Sequence, residues 1–299
     1  MTMTSPLAII NGVSPSCVWL PDGEWPTLLA FFAARFPDVA LTTWQARMAK
    51  GQVVDEFGYQ FTVDSVYRAG VRVYYYRELD AETPIPFQET IIYQDEHILV
   101  ADKPHFLPVI PAGRFLHETL LVRLKKQLQL NDLVPIHRID RETAGLVIFS
   151  HNVASRGLYQ SLFKQRDITK TYHAVAANCA QLDFPYIYKS RMVEGEPFFR
   201  MQEVAGEPNS ETHIELLKSE GALSLYQLQP ITGRKHQLRL HLSALGMPIL
   251  YDDFYPHLRE CNNDDFSQPL QLLAKSLAFI DPLTGQSRFF ESERRLMIA

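Results

Sequence analysis

The sequence predicts an α+β protein in two parts, and three observations lead there. Strand-like and helix-like segments interleave without a steady strand–helix–strand rhythm, which argues against a doubly wound sheet. The stretch Asp80 to Pro86 carries acids and two prolines and reads as a linker. A chain of 299 residues is about as long as two ordinary domains. The expected division is residues 1–85 and 86–299.

In the first part, Trp25 to Phe36 spaces apolar and small residues helically until Pro37 stops it. Thr42 or Thr43 can cap a second short helix running to Ala49, with Gly51 just past its end. Gln52 to Tyr59 and Gly70 to Arg77 read as strands, the latter through Val71, Val73 and Tyr75. In the second part, Thr90 to Ala101 reads as strand, turn at Asp95, and strand. Leu116 to Leu128 is an amphipathic helix. Gly145 to Phe149 is an apolar strand of the buried type, and Ser155 to Gln165 another helix. Thr171 to Ala176 and Leu223 to Gln229 alternate as strands. Gln237 to Leu245 is helical, ended by Gly246 and Pro248, and Leu272 to Phe290 forms two short strands around "DPLTGQ".

Composition narrows the function. The formal net charge is −5, so nucleic-acid binding must rest on local basic patches. One holds Arg156, Lys164, Arg166 and Lys170, another Arg234, Lys235 and Arg239. Cys17, Cys179 and Cys261 are odd in number and far apart, with neither zinc nor disulfide spacing, as expected of a protein in a reducing cytoplasm. Met1 to Ser16 lacks a basic start followed by an apolar run, so no signal peptide is expected, and no apolar run could span a membrane. No glycine-rich phosphate loop is present, and His236 and His241, five apart, are poorly spaced for one metal. The expectation is no metal and no cofactor.

Three polar clusters could carry chemistry. "HRIDRETAG", His137 to Gly145, directly precedes the apolar strand "LVIF". Asp140 there fits either a carboxylate held in a cleft or a surface ion-pair cluster with Arg138 and Arg141. "TGRKHQLRLHL", Thr232 to Leu242, reads as a turn entering a helix on which His236 and Arg239 share a face. In "KTYHAVA", strand alternation points Lys170 and Tyr172 the same way.

In order and spacing, these three segments resemble the signatures of the RluA-type RNA pseudouridine synthases: "HRLD-x-x-T-[SA]-G", Lys-x-Tyr-x-Ala, and Thr-Gly-Arg-x-His-Gln-[IL]-Arg-x-His. Weaker matches flank them at Ile91 to Pro104 and Leu277 to Gln286, so the resemblance covers the chain from about residue 88 onward. It implies a mixed, largely antiparallel central sheet flanked by helices. It also implies an isomerase that breaks the ribose–uracil N1 bond and rejoins the ring through C5, without a cofactor. By the family pattern, Asp140 is the catalytic carboxylate, Arg239 its ion-pair partner, and Tyr172 the active-site tyrosine. Arg138 fills the space left by a flipped-out uridine. His137, Thr143, Gly145, Lys170, Arg234, His236 and Gln237 complete the expected substrate-binding set. The expected partner is rRNA or tRNA, and the expected state a monomer. The front part resembles an S4-like RNA-binding module, with only Arg47 and Lys50 as basic residues on its second helix.

Several positions depart from the family pattern. Ala144 stands for serine, Met247 for histidine, Tyr251 for the glycine before Asp252, and Leu273 for a histidine. His105 and Phe106 stand where a Pro-x-Gly turn is frequent. None lies in the expected catalytic set. Two other readings compete. A binding protein that had lost catalysis would have no need of Asp140, Tyr172 and Arg239. A glycoside hydrolase would need a second acid, for which Glu142 is the near candidate.

Overall fold

The computed structural model describes residues 5–79, 81–259 and 264–298. Cys261, Asp80 at the head of the expected linker, and Met1–Thr4 of the segment read for a leader lie outside them. The chain divides into two compact units, Met1–Glu82 with Pro111–His117, and Thr83–Ile110 with Glu118–Ala299.

The first unit holds β1 (Ser16–Trp19), α1 (Leu28–Arg35), α2 (Leu41–Ala49), β2 (Val53–Asp55) and β3 (Arg72–Tyr75). The strands form an antiparallel sheet in the order β1-β3-β2. Helix α1 starts later than the periodicity suggests, because Thr27 caps it by accepting from Ala30 N at 3.1 Å. Trp25 lies outside the helix, edge-on to Phe31. Neither Thr42 nor Thr43 caps α2. The N-cap is Ala40, with no side-chain bond, because the turn after Pro37 starts the helix early and draws both threonines into its first turn. The expected strand to Tyr59 stops at Asp55, whose Oδ1 accepts from Phe57 N and Tyr59 N and turns the chain. Phe31, Phe32, Trp44, Met48, Val53, Val73 and Tyr75 form the core. Arg47 is buried against the Trp44 ring, 4.8 Å from its centroid, so α2 does not offer it to solvent.

The second unit holds β4 (Thr90–Gln94), β5 (Ile98–Lys103), α3 (Leu120–Leu128), β6 (Val134–Pro135), β7 (Ala144–Ser150), α4 (Arg156–Gln165) and β8 (Ile168–Ala177). It continues with β9 (Tyr186–Glu194), β10 (Met201–Val204), β11 (Ser210–Glu220), β12 (Leu223–Pro230), α5 (Gln237–Ala244), β13 (Leu272–Ile280) and β14 (Ser287–Glu291). They build one eleven-stranded sheet in the order β10-β9-β11-β12-β8-β13-β7-β5-β4, with β14 on β13 and β6 on β7. This is the expected mixed, largely antiparallel sheet: β13 with β7 is the only parallel pair among the described strands. Helix α3 starts at Leu120, not Leu116, because Thr119 caps it and the Leu116 and His117 amides are held by Glu82. β9, β10 and β11, like the short β1 and β6, lie where the sequence predicts no strand.

The parallel junction places the site. Gly145 and Ala274 pair there, and a Cβ on Gly145 would lie 2.2 Å from the Ala274 carbonyl oxygen. With its φ of +110° as well, only glycine fits. The polar segment before β7 is thereby anchored on the central strands. α5 and the segment after it pack on the neighbouring strands through Leu238, Leu242, Met247 and Ile249.

Candidate active site

The loop carrying Asp140 is held from several sides. Ile136 N donates to Ile148 O at 2.8 Å, and Ile148 N donates to His137 Nε2 at 3.1 Å. The His137 ring stacks on Phe163, and burial pushes its pKa down to about 3, keeping it a neutral acceptor. Beneath the loop, the fully buried Lys103 donates to the carbonyls of Arg141 (2.9 Å), Leu107 (2.7 Å) and Pro104 (3.0 Å). Burial pushes its ammonium down to about 7. The loop backbone is thus fixed while the Asp140 side chain keeps 27% exposure.

Opposite stands Arg239 on α5, 1% exposed. Its Nη1 lies 3.4 Å from Asp140 Oδ2 and 3.7 Å from Glu142 Oε2. The tighter partner is Asp252. Nε and Nη2 grip both its oxygens at 2.8 and 2.7 Å. Asp252 in turn accepts from Phe254 N and Tyr255 N. A bidentate arginine–carboxylate pair is among the strongest and most directional of side-chain contacts. Burial alone would lower the Arg239 pKa. Asp252 first, then Asp140 and Glu142, outweigh that and hold it above the ordinary arginine value. Glu142 is mostly buried, its side chain 15% exposed, which would raise its pKa, but Arg239 and Arg141 keep it below the usual carboxylate range. The second acid that a hydrolase reading requires is therefore tied into ion pairs.

Tyr172 on β8 completes the group. Burial, and then the charge of Asp140, push its phenol well above the ordinary value, so at neutral pH it is protonated. His236 begins α5 with φ 54°, its Nε2 4.0 Å from Asp140 Oδ2.

The structure gathers Asp140, Tyr172, His236 and Arg239, and it places other expected site residues differently. Gln237 is spent on the protein: it accepts from Thr232 Oγ1 and Arg234 N and donates to Glu211 O and Thr212 Oγ1. It holds the turn before α5. His137 braces the loop, Thr143 is buried with its N–H on Asp140 O, and Gly145 serves the strand junction. Lys170 donates to Thr232 O at 3.3 Å, and Arg234 is exposed. Arg138 is exposed, with no hydrogen bond or ion pair to a described residue. His241 is a core residue, bonded to Ser210 and Thr212. Among the described residues no group of three His, Cys, Asp or Glu side chains could hold a metal.

Asp252, Glu142, Lys103 and Tyr255 belong to the site's support; from the sequence, Glu142 stood only as a hydrolase's second acid, and the other three had no supporting role. Asp252 did carry a signal, since a buried arginine demands an acid. The departures from the family pattern do reach this support: Tyr251, beside Asp252, has φ 62°, and Phe106 has φ 67°. At both, the backbone takes the left-handed form that the family's glycine suits.

A loop-borne carboxylate faces a locked guanidinium and a protonated tyrosine on a mixed α+β frame, and comparison with known proteins gives the class, the RNA pseudouridine synthases. The family model described as RNA pseudouridylate synthase matches residues 97–244. The chain is 34% identical over 204 residues to the dual-specificity RNA pseudouridine synthase RluA of Vibrio vulnificus, spanning 64% of this chain and 78% of the relative. It is 31% identical over 207 residues to RluA of Haemophilus influenzae, spanning 68% and 92%. Human RNA Pseudouridylate Synthase Domain Containing 4 superposes with a TM-score of 0.54 at 27% identity, over 70% of this chain and 88% of that one. The chain belongs to the RluA-type RNA pseudouridine synthase family, whose members are isomerases. No helix among the described residues is long and apolar enough to cross a membrane.

Proposed function

We propose that the protein converts particular uridines in structured rRNA or tRNA to pseudouridine, with Asp140 as the carboxylate that meets the sugar. The observation that carries this reading is the partly exposed Asp140 set against a guanidinium whose other edge is locked by Asp252. As the N1–C1′ bond breaks, its electron pair leaves with uracil. Asp140 bonds to C1′ or stabilises the positive charge there. The freed base turns and C5 bonds to C1′, releasing Asp140 as a carboxylate where it had bonded there; C5 then loses its proton and N1 gains one. Atoms and electrons are conserved, so no co-reactant is consumed. Protonated Tyr172 offers a stacking wall and a donor. A target in a stem or stacked loop must leave its stack, and the exposed Arg138 is free to take its place. Residues 1–85 form an accessory module, in which the burial of Arg47 leaves Lys50, just past the end of α2, as the exposed basic residue there.

Asp140→Asn keeps the shape and removes the charge. With unmodified rRNA and tRNA transcripts, the variant should form no pseudouridine while unfolding at the parent's temperature. Turnover within about tenfold of the parent, about 1.4 kcal/mol in barrier, refutes the assignment. Free uracil in place of pseudouridine would convert the reading to a hydrolase.

A further inference from the structure

Two nitrogen groups converge on one oxygen of Asp140. Arg239 Nη1 stands 3.4 Å and His236 Nε2 4.0 Å from Oδ2. Among the described residues no hydrogen bond reaches Oδ1. The two carboxylate oxygens are therefore not equivalent in the folded chain.

The state of His236 follows from what lies behind it. The ring is 8% exposed and wedged between Phe254 and Tyr255, with centroids 5.4 and 5.8 Å away. Its Nδ1 is 3.1 Å from the Tyr255 hydroxyl. That hydroxyl accepts from Met201 N at 2.8 Å and has one proton to give, either to His236 Nδ1 or to Met201 O at 3.3 Å. If the proton goes to Nδ1, the neutral ring carries its own on Nε2 and shows a donor to Asp140. If it goes to Met201, Nδ1 must donate to the tyrosine oxygen, and Nε2 shows a lone pair to a carboxylate. The second arrangement sets lone pair against lone pair beside an anion, so the first is lower in energy.

The groups that face the ring are Asp140 and Glu142 from the loop before β7, Arg239 on its own helix, Lys235 before that helix, and Tyr255. Burial is the largest influence and keeps the imidazole below the ordinary histidine pKa, hence neutral at pH 7. The 4.0 Å gap is longer than a hydrogen bond, as is common before substrate closes a site.

We propose that His236 is a positioning residue, protonated on Nε2 and oriented by Tyr255, which together with Arg239 pins Oδ2 of Asp140 and leaves Oδ1 as the oxygen presented to the target nucleoside. This rests on the isomerase reading above. A core histidine that merely fills space would not depend on which nitrogen carries the proton.

Three variants and one spectrum separate the two roles. His236→Gln keeps an N–H near Nε2, His236→Asn moves its amide toward the Nδ1 position, and His236→Ala removes both. On unmodified rRNA and tRNA transcripts, kcat should fall about 100-fold in the Ala and Asn variants and no more than about tenfold in Gln. KM should stay within about threefold throughout, because the effect is on Asp140 and not on RNA capture. Independently of turnover, nitrogen NMR of the 15N-histidine-labelled full chain should show His236 protonated on Nε2 at pH 7. A ring protonated on Nδ1, or an Ala variant as fast as Gln, overturns the proposal. If the parent forms no pseudouridine, the isomerase reading fails and the tautomer measurement still decides the state of His236.

Discussion

A carboxylate that is 27% exposed and a guanidinium that is 1% exposed make an unequal pair. Asp140 can lose its charge without leaving a buried ion alone, because Arg239 keeps Asp252. Arg239 cannot be removed so lightly. Arg239→Ala leaves Asp252 buried and Glu142 short of a partner, which should cost about 3–5 kcal/mol of stability. The expected outcome is a large fall in the urea midpoint together with lost turnover. Arg239→Lys should recover part of the stability and little activity, since an ammonium cannot grip Asp252 through two edges and still face Asp140. Equilibrium unfolding beside single-turnover rates checks both, and an Ala variant as stable as the parent would refute the Asp252 clamp.

Close backbone contact governs the elements that carry the site. Gly145→Ala would push a methyl group to 2.2 Å from Ala274 O, at a φ that an alanine resists. Either β7 and β13 separate or Asp140 shifts, so stability should fall by at least about 2 kcal/mol and turnover with it. Urea unfolding and activity measured on one preparation test this. Phe106 poses the opposite balance. Its φ of 67° costs roughly 1–2 kcal/mol. The ring is 7% exposed and packs on Phe87 and Phe266, a burial worth roughly 3–5 kcal/mol to remove. Packing wins, so Phe106→Gly should destabilise by about 2 kcal/mol despite restoring the residue that the backbone favours. A rise in melting temperature would show that strain dominates.

At the scale of the whole molecule, desolvated neutral histidines among the described residues should weaken the fold in acid. Burial pushes His137 to about 3, and His105 and His241 to about 4, below the ordinary 6.5. In the unfolded chain they take up protons that the folded chain refuses. Their contribution is therefore fully present above pH 6.5 and is lost as pH falls from there toward 4. Unfolding free energy should decline through that window, and His241→Gln should flatten the decline. A stability curve level from pH 7 to 4 would contradict it.

The sequence by itself determined the elements with strong periodicity, the two-part division to be tested, and the segments that meet at the site. "HRIDRETAG", "KTYHAVA" and "TGRKHQLRLHL" are local patterns, and local patterns survive in a string of residues. It did not reveal β9 to β11, where exposed charged positions such as Glu215, Lys218 and Glu220 blur the alternation of half-buried strands. Nor did it reveal that Gln237 and His137 spend their hydrogen bonds on the protein, or that Arg47 lies under Trp44. Most of all, it could not rank the partners of Arg239. Asp140 is 99 positions away and Asp252 is 13, and nothing in the string says which grips two edges and which only approaches one. Ion-pair geometry is set by where the sheet and α5 place whole side chains in space, so only the tertiary structure decided it.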